Sequence, residues 1–427
     1  MTVAQHGEVT ADGSNASAGH ERGSAGYRRL VAATWAAGVG CFALLYAPQA
    51  LLPLISRDLG VTPSGAALIV SVSTGALALC LLPMSSLADR VGRTRLMTLA
   101  LVAAAVLGIL TPLAPSIEVL LALRAVQGVA IAGVPALAMA HLTDEVRPSA
   151  VGVAMGLYIA GNTVGGLSGR VLASVVADVA GWRAGLAAVG ALGLACVLAL
   201  HLLLPPSTAG STVPDGAGTP AAAPAAFGHL GRHLRDPGIR WLCCSSFVLM
   251  AAFVTVYNFL GYRLLEEPFG LSPLLVGLVF LSYLAGTVSS PTAGRLGERL
   301  GRRAVLLGGV LLALAAALLT LLDVLAAVLL GLVLFTVGFF AAHTSASGMV
   351  GHRARGGRAH AAALYLLAYY AGSSIGGWLG GVAFEVANWP GVVAYVSGLL
   401  VVALGLALLL RRTPPLAPAP SAGGSPG

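Results

Sequence analysis

An arginine stands in the middle of an otherwise apolar stretch, LLALRAVQGVAIAG (120–133), with a glutamine three residues on. A guanidinium is expensive in hydrocarbon, so Arg124 is expected to face a polar cavity or a protein partner. Gln127, one helical turn along, shares its face. A second arginine, Arg170, also falls inside an apolar segment. Other polar or amphipathic residues in such segments are Tyr46, Gln49, Tyr158, Asn162, Tyr257, Asn258, His343 and Tyr369. These are the candidates for lining a cavity, and an apolar pocket with a few polar groups suits an amphiphile or a small neutral solute.

Enzyme chemistry has no such foothold. No cluster of His, Asp or Glu marks a catalytic centre, and no phosphate-binding glycine loop marks an ATP-driven pump. Cys41, Cys80, Cys196, Cys243 and Cys244 show neither disulfide nor metal-ligand spacing. No cofactor or metal is therefore expected. The sixteen acids all fall in tails, loops or segment ends, Glu385 among them. A proton route has to be sought in Arg124 with His343, or in Asp89 and Glu385 nearer the surfaces.

The elements that position these residues follow from composition. The chain has 427 residues, 57% hydrophobic and 9% charged, against about 25% charged in soluble domains. Apolar runs of about 20 residues, enough to cross roughly 30 Å of hydrocarbon, recur throughout. The pattern predicts an all-α integral membrane protein with twelve transmembrane helices at 30–54, 64–87, 95–113, 117–141, 149–176, 182–204, 239–262, 272–294, 303–322, 325–349, 358–384 and 391–410. Pro, Gly, Ala and Ser dominate 205–238, which reads as a linker between a bundle at 30–204 and another at 239–411, with unstructured tails at 1–29 and 412–427.

All 24 basic residues are arginines. Placing the termini and the even-numbered loops on one side collects nineteen of them there and leaves three on the other. That bias predicts cytoplasmic termini in a cell membrane. It also accounts for the net charge of +8 without nucleic acid.

The two bundles repeat one another. YIAGNTVGGLSG (158–169) returns as YYAGSSIGGWLG (369–380), LGVTP (59–63) as FGLSP (269–273), and LADRVGR (87–93) as LGERLGR (296–302). Tyr46 answers Tyr257. The offsets lie between 209 and 211, so the repeats are parallel, and such halves are related by an axis along the membrane normal with the substrate site between them. Gly161, Gly165 and Gly169 form one stripe on their helix, as do Gly372, Gly376 and Gly380 on its copy. Small residues at that spacing let backbones approach closely.

SSLADRVGRTRLM (85–97), with its second copy GRLGERLGRR (294–303), resembles the loop 2–3 signature G-x-L-x-D-R-x-G-R of the major facilitator superfamily. The resemblance spans essentially residues 30–411, with Ser85 and Thr94 departing from the pattern. It implies a conformational latch built from Asp89, Arg90, Gly92, Arg93, Gly294, Glu298, Arg299, Gly301 and Arg302. Leu120, Arg124, Gln127 and Gly128 resemble the family's helix-4 motif, which in proton-coupled members takes part in coupling. GNTVGG resembles the helix-5 motif G-P-x-x-G-G of drug exporters, with Asn162 where the proline belongs. Helices 5 and 8, and 11 and 2, meet across the cavity in this family, so the glycine stripes are expected on surfaces that slide. The resemblance implies alternating-access transport, proton-coupled export of a drug-like amphiphile or sugar over uptake of a metabolite. Expected partners are the solute, protons and membrane lipids, with the monomer as the working unit.

Overall fold

Thr62 and Ser272, each followed by proline, open two helices in the same way. The Thr62 hydroxyl accepts from the Gly65 amide at 3.2 Å and the Ser272 hydroxyl from the Leu275 amide at 3.4 Å. Pro63 and Pro273 occupy the first helical positions, where a missing N–H costs nothing. This shared start is the structural meaning of the LGVTP and FGLSP repeat.

The computed structural model describes residues 19–205, 231–354 and 358–413, excepting the side chains of Asp89, Arg358, Ala359 and Arg412. The far ends of both expected tails and most of the expected linker lie outside these residues. Among the described residues, ten helical elements are long and apolar enough to span a membrane. Two are doubles. Pro148–Leu203 has 56 residues, about 84 Å at 1.5 Å per residue, far more than one crossing. It breaks at Gly181, whose φ of 79° is left-handed. The element ending in Gly377–Leu409 breaks at Ala387 and Asn388, just before Trp389 and Pro390. Twelve crossings result, with turns tighter than the sequence reading placed there.

We number them α1 (Ala25–Leu59), α2 (Pro63–Val91), α3 (Arg93–Leu113), α4 (Ile117–Glu145), α5 (148–180), α6 (182–203), α7 (Pro237–Leu265), α8 (Pro273–Leu300), α9 (Arg302–Leu319), α10 (Leu325–Arg353), α11 (358–386) and α12 (389–409). In the most apolar windows of α1 and α7, 83% and 72% of residues are buried, against 28–50% in the other spans. The first helix of each half therefore lies innermost. Outer helices expose Leu and Val, as lipid-facing surfaces do.

Three interruptions shape the centre. α1 changes at Ala47–Leu51 to a 3-10 turn containing Pro48. α8 has a 3-10 turn at Phe280–Ser282. α11 carries a π-helical turn at Gly372–Gly376 that its copy in α5 lacks.

The glycine stripes pack inside each half. A Cβ at Gly161, Gly165 or Gly169 would come closer than 3.0 Å to Trp35, Val39 or Ala43 of α1. The second stripe meets Phe247, Ala251 and Thr255 of α7 in the same manner. The expected sliding surface thus lies elsewhere, because a stripe only about 80° wide serves one neighbour and that neighbour is the innermost helix. Close contact between halves falls to other small residues: Gly277 on Ser174, Gly381 on Ser64 and Gly75 on Ser374.

Candidate functional site

The Gln49 amide on α1 donates to Asn258 Oδ1 on α7 at 2.7 Å across 209 residues of sequence. The bond joins the first helix of one half to the first helix of the other, and these are the two most buried helices, so it lies at the molecular centre. Arg57 and Glu266, also 209 apart, meet at 3.3 Å farther along the same helices.

Around this point the structure gathers Tyr46, Gln49, Tyr257 and Asn258 from the sequence candidates, and adds a residue that sequence reasoning left aside. Arg170 of α5 is 2% exposed. Its Nε and Nη2 donate to Gln49 Oε1 at 2.7 and 2.5 Å, Nη1 to the Gly166 carbonyl at 2.6 Å, and Nη2 to the Tyr283 hydroxyl at 3.3 Å. The guanidinium lies over the rings of Tyr46 and Tyr283, 4.7 Å from each centroid, and over Phe280 at 5.2 Å. The 3-10 turn in α8 presents Phe280 and Tyr283 on this side. An arginine inside an apolar helix was the available signal; its side-chain partners come from two other helices, α1 and α8, which no local pattern reveals.

Tyr257 belongs to the wall in the second half. Its hydroxyl meets Ser282 at 2.8 Å and Thr336 at 2.6 Å. Its ring joins Phe253, which stacks on Phe339 at 3.9 Å. His343 lies farther along this aromatic wall: Nδ1 is 3.0 Å from the Tyr365 hydroxyl, and the ring is 5.0 Å from that of Tyr369. Tyr158 and Asn162 lie apart from the Gln49 cluster, against Gly38 of α1.

Arg124 is held differently. It is 1% exposed and donates to the carbonyls of Leu44 (2.9 Å), Leu45 (2.6 Å) and Ile69 (3.1 Å), as well as to Gln127 Oε1. Gln127 passes the link to the Ala104 carbonyl at 2.8 Å. Gly128 completes the junction, since any Cβ there would strike the Ser73 backbone. The acceptors on α1 have a cause. An α-helix pairs the carbonyl of residue 44 with the N–H of 48, and a 3-10 turn pairs 45 with 48; proline has no N–H to give. Arg124 supplies both.

At the end bearing the termini, Gly92 and Gly301 share φ of 92° and 88°, a left-handed conformation that explains glycine in both copies of the loop motif. Arg93 pairs with Asp144 at the end of α4. Arg90, Glu298 and Arg299 are exposed, Gly294 has open space beside it, and Arg302 packs on Gly348 of α10. The Asp89 side chain is outside the described residues. Among the described ones, no hydrogen bond or ion pair joins these residues to the opposite half.

The described hydrogen bonds between the halves lie at the centre or toward the other end. Besides those of Gln49, Arg57 and Arg170, the Ser64 amide donates to Glu385 at 2.8 Å, the Leu274 amide to Asp178 at 3.2 Å, and the Ser374 hydroxyl to the Ser71 carbonyl at 2.7 Å. The π-helical turn aims Ser374 at α2. The molecule is closed at the end away from its termini.

The model described as Major Facilitator Superfamily matches residues 34–262 and 242–426. Similar proteins include the inner membrane transport protein YnfM of Escherichia coli (strain K12), 40% identical over 92% of this chain and 93% of the relative. The uncharacterized MFS-type transporter YybF of Bacillus subtilis (strain 168) is 37% identical over 92% and 96%. Among solved structures, a bacterial homologue of the human lysosomal transporter Spinster superposes with a TM-score of 0.77 at 20% identity, covering 93% of this chain and 100% of that one. The nucleoside transporter NupG gives 0.71 at 14%, covering 90% and 99%. At these identities the structural likeness shows the fold.

Proposed function

The chain belongs to the major facilitator superfamily as a multi-pass membrane transporter of small molecules, and we propose that it works by alternating access as a proton-coupled exporter of a small organic solute. The carrying observation is the one-sided distribution of contacts between the halves. Among the described residues, six hydrogen-bonded links hold the centre and the far end, and no hydrogen bond or ion pair takes a loop-motif residue at the termini end to the opposite half. With the termini in the cytoplasm, as the arginine bias has it, this is the inward-open state.

In this reading the solute enters between the halves and meets the aromatic wall of Tyr257, Phe253 and Phe339 and the polar cluster at Gln49. Rocking of the halves then breaks the far-end links while the loop-motif residues close the near end, a bistable exchange of contacts. Export over uptake rests on the GNTVGG stretch of α5 and its likeness to the exporter motif. His343 with Tyr365 is the titratable pair within a span that borders the aromatic wall, and it serves as the proton relay. Arg124 and Gln127 couple α4 to α1 by keeping the Pro48 interruption rigid.

Reconstitution into vesicles with an imposed proton gradient tests this. Candidate solutes are expected to move opposite to the protons. Movement with the protons would make the protein an uptake symporter, and indifference to the gradient would remove proton coupling.

A further inference from the structure

Arg170 and Arg124 are both buried cations, yet they are satisfied in opposite ways. The donors of Arg124 go mostly to backbone carbonyls that Pro48 and the helix geometry fix in place. Those of Arg170 go mostly to side chains, Gln49 and Tyr283, which can turn away. Among the described residues, no carboxylate pairs with Arg170. A desolvated guanidinium held only by neutral acceptors lacks the counter-charge that ordinarily accompanies a buried ion.

The geometry points to the missing counter-charge. Gln49 Oε1 accepts from Nε and Nη2 together, the two-donor edge with which guanidinium grips a carboxylate. The amide brings one oxygen and no charge to an edge that can take two oxygens and a charge. Beside it the buried Asn258 Nδ2 has no hydrogen-bond partner. Tyr46, Tyr283 and Phe280 present ring faces around the cation, ready for the apolar body of the same molecule.

We propose that Arg170 is the substrate-recognition residue and that the transported solute is a small organic acid, its carboxylate replacing Gln49 on the Nε–Nη2 edge. This rests on the transport reading above and narrows its substrate class. A consequence follows for coupling. Gln49 also holds Asn258 across the axis, so an acid that displaces Gln49 loosens the link between the halves. A ligand shifts a conformational equilibrium only through such differential contact. Asn258 Nδ2, freed to turn, offers the second carboxylate oxygen a donor.

The test is thermal stability of the purified full-length protein against matched pairs that differ only in charge: benzoate and benzamide, phenylpropionate and phenylpropionamide, phenylalanine and phenylalaninamide. A ligand of the folded state raises the melting temperature. At least one acid is expected to do so while its amide does not. Arg170→Gln is expected to abolish that response. Arg170→Lys, which keeps the charge without the fork and stands in if Arg170→Gln does not fold, is expected to need roughly ten- to hundredfold more acid. Amides acting as well as acids, an acid response unaltered in both variants, or no acid response in the wild type would each overturn the assignment. Vesicle transport separates the two readings. A protein that moves a neutral solute and ignores acids keeps the transport reading and loses this one; Arg170-dependent acid binding without transport of the acid leaves Arg170 as an acid-binding residue but overturns the claim that the acid is carried.

Discussion

Arg124 completes the hydrogen bonding of the helix that Pro48 interrupts. The carbonyls of Leu44 and Leu45, which Pro48 leaves without a backbone donor, receive Nη1 and Nη2 at 2.9 and 2.6 Å. A charge inside an apolar helix and a proline inside its neighbour are two halves of one device. Its place is the 3-10 turn that carries Gln49, whose amide reaches Asn258 of the opposite half.

The device makes a double-mutant prediction. Arg124→Ala leaves buried carbonyls unsatisfied, each worth about 1–3 kcal/mol, so the melting temperature in detergent should fall steeply. Pro48→Ala restores an N–H at position 48, and in the Arg124→Ala background it should recover about 1 kcal/mol. Strict additivity of the two changes would show that Arg124 and Pro48 act independently.

Gln49→Glu provides a carboxylate where the acid is proposed to sit. The new side chain pairs with Arg170, and Asn258 can turn its unpartnered Nδ2 toward it. Thermal stability should rise while transport falls, because the internal anion competes with the solute. A variant that transports normally would remove Gln49 from the recognition site.

The glycine stripes predict a contrast within one helix. Gly165→Ala drives a Cβ into the Val39 backbone, and such overpacking costs about 1–3 kcal/mol or more. Gly152→Ala on the same helix meets nothing within 4 Å and should be neutral or stabilising by about 0.5–1 kcal/mol. Melting temperatures of the two variants check this; equal effects would mean that α1 and α5 are not locked at Gly165.

The sequence carried the helices, the repeat and the loop motif because each rests on local pattern: apolar length, proline and glycine at turns, arginine at one face. The Gly92 and Gly301 pair is legible for the same reason, one backbone conformation required twice. Arg170 as the centre was not legible, since Gln49, Tyr283 and Phe280 reach it from α1 and α8 and nothing in its own helix announces them. The stripes were expected on surfaces between the halves and instead face α1 and α7 of their own halves, because periodicity shows which residues share a face and not which helix that face meets. Gln49 and Asn258 were each visible as polar residues in apolar helices. That they bond one another across the halves shows only once α1 and α7 are seen packed together.

Alternating access is tested most directly at Gly75 and Ser374, on opposite halves. A Cβ at Gly75 would stand 3.5 Å from that of Ser374, within the range of about 3.5–4.5 Å that a disulfide spans. Gly75→Cys with Ser374→Cys should cross-link on oxidation, hold the halves in the state seen here and stop transport in vesicles, with reduction restoring it. Full transport by the cross-linked protein would contradict the account, because its halves would then have no need to part.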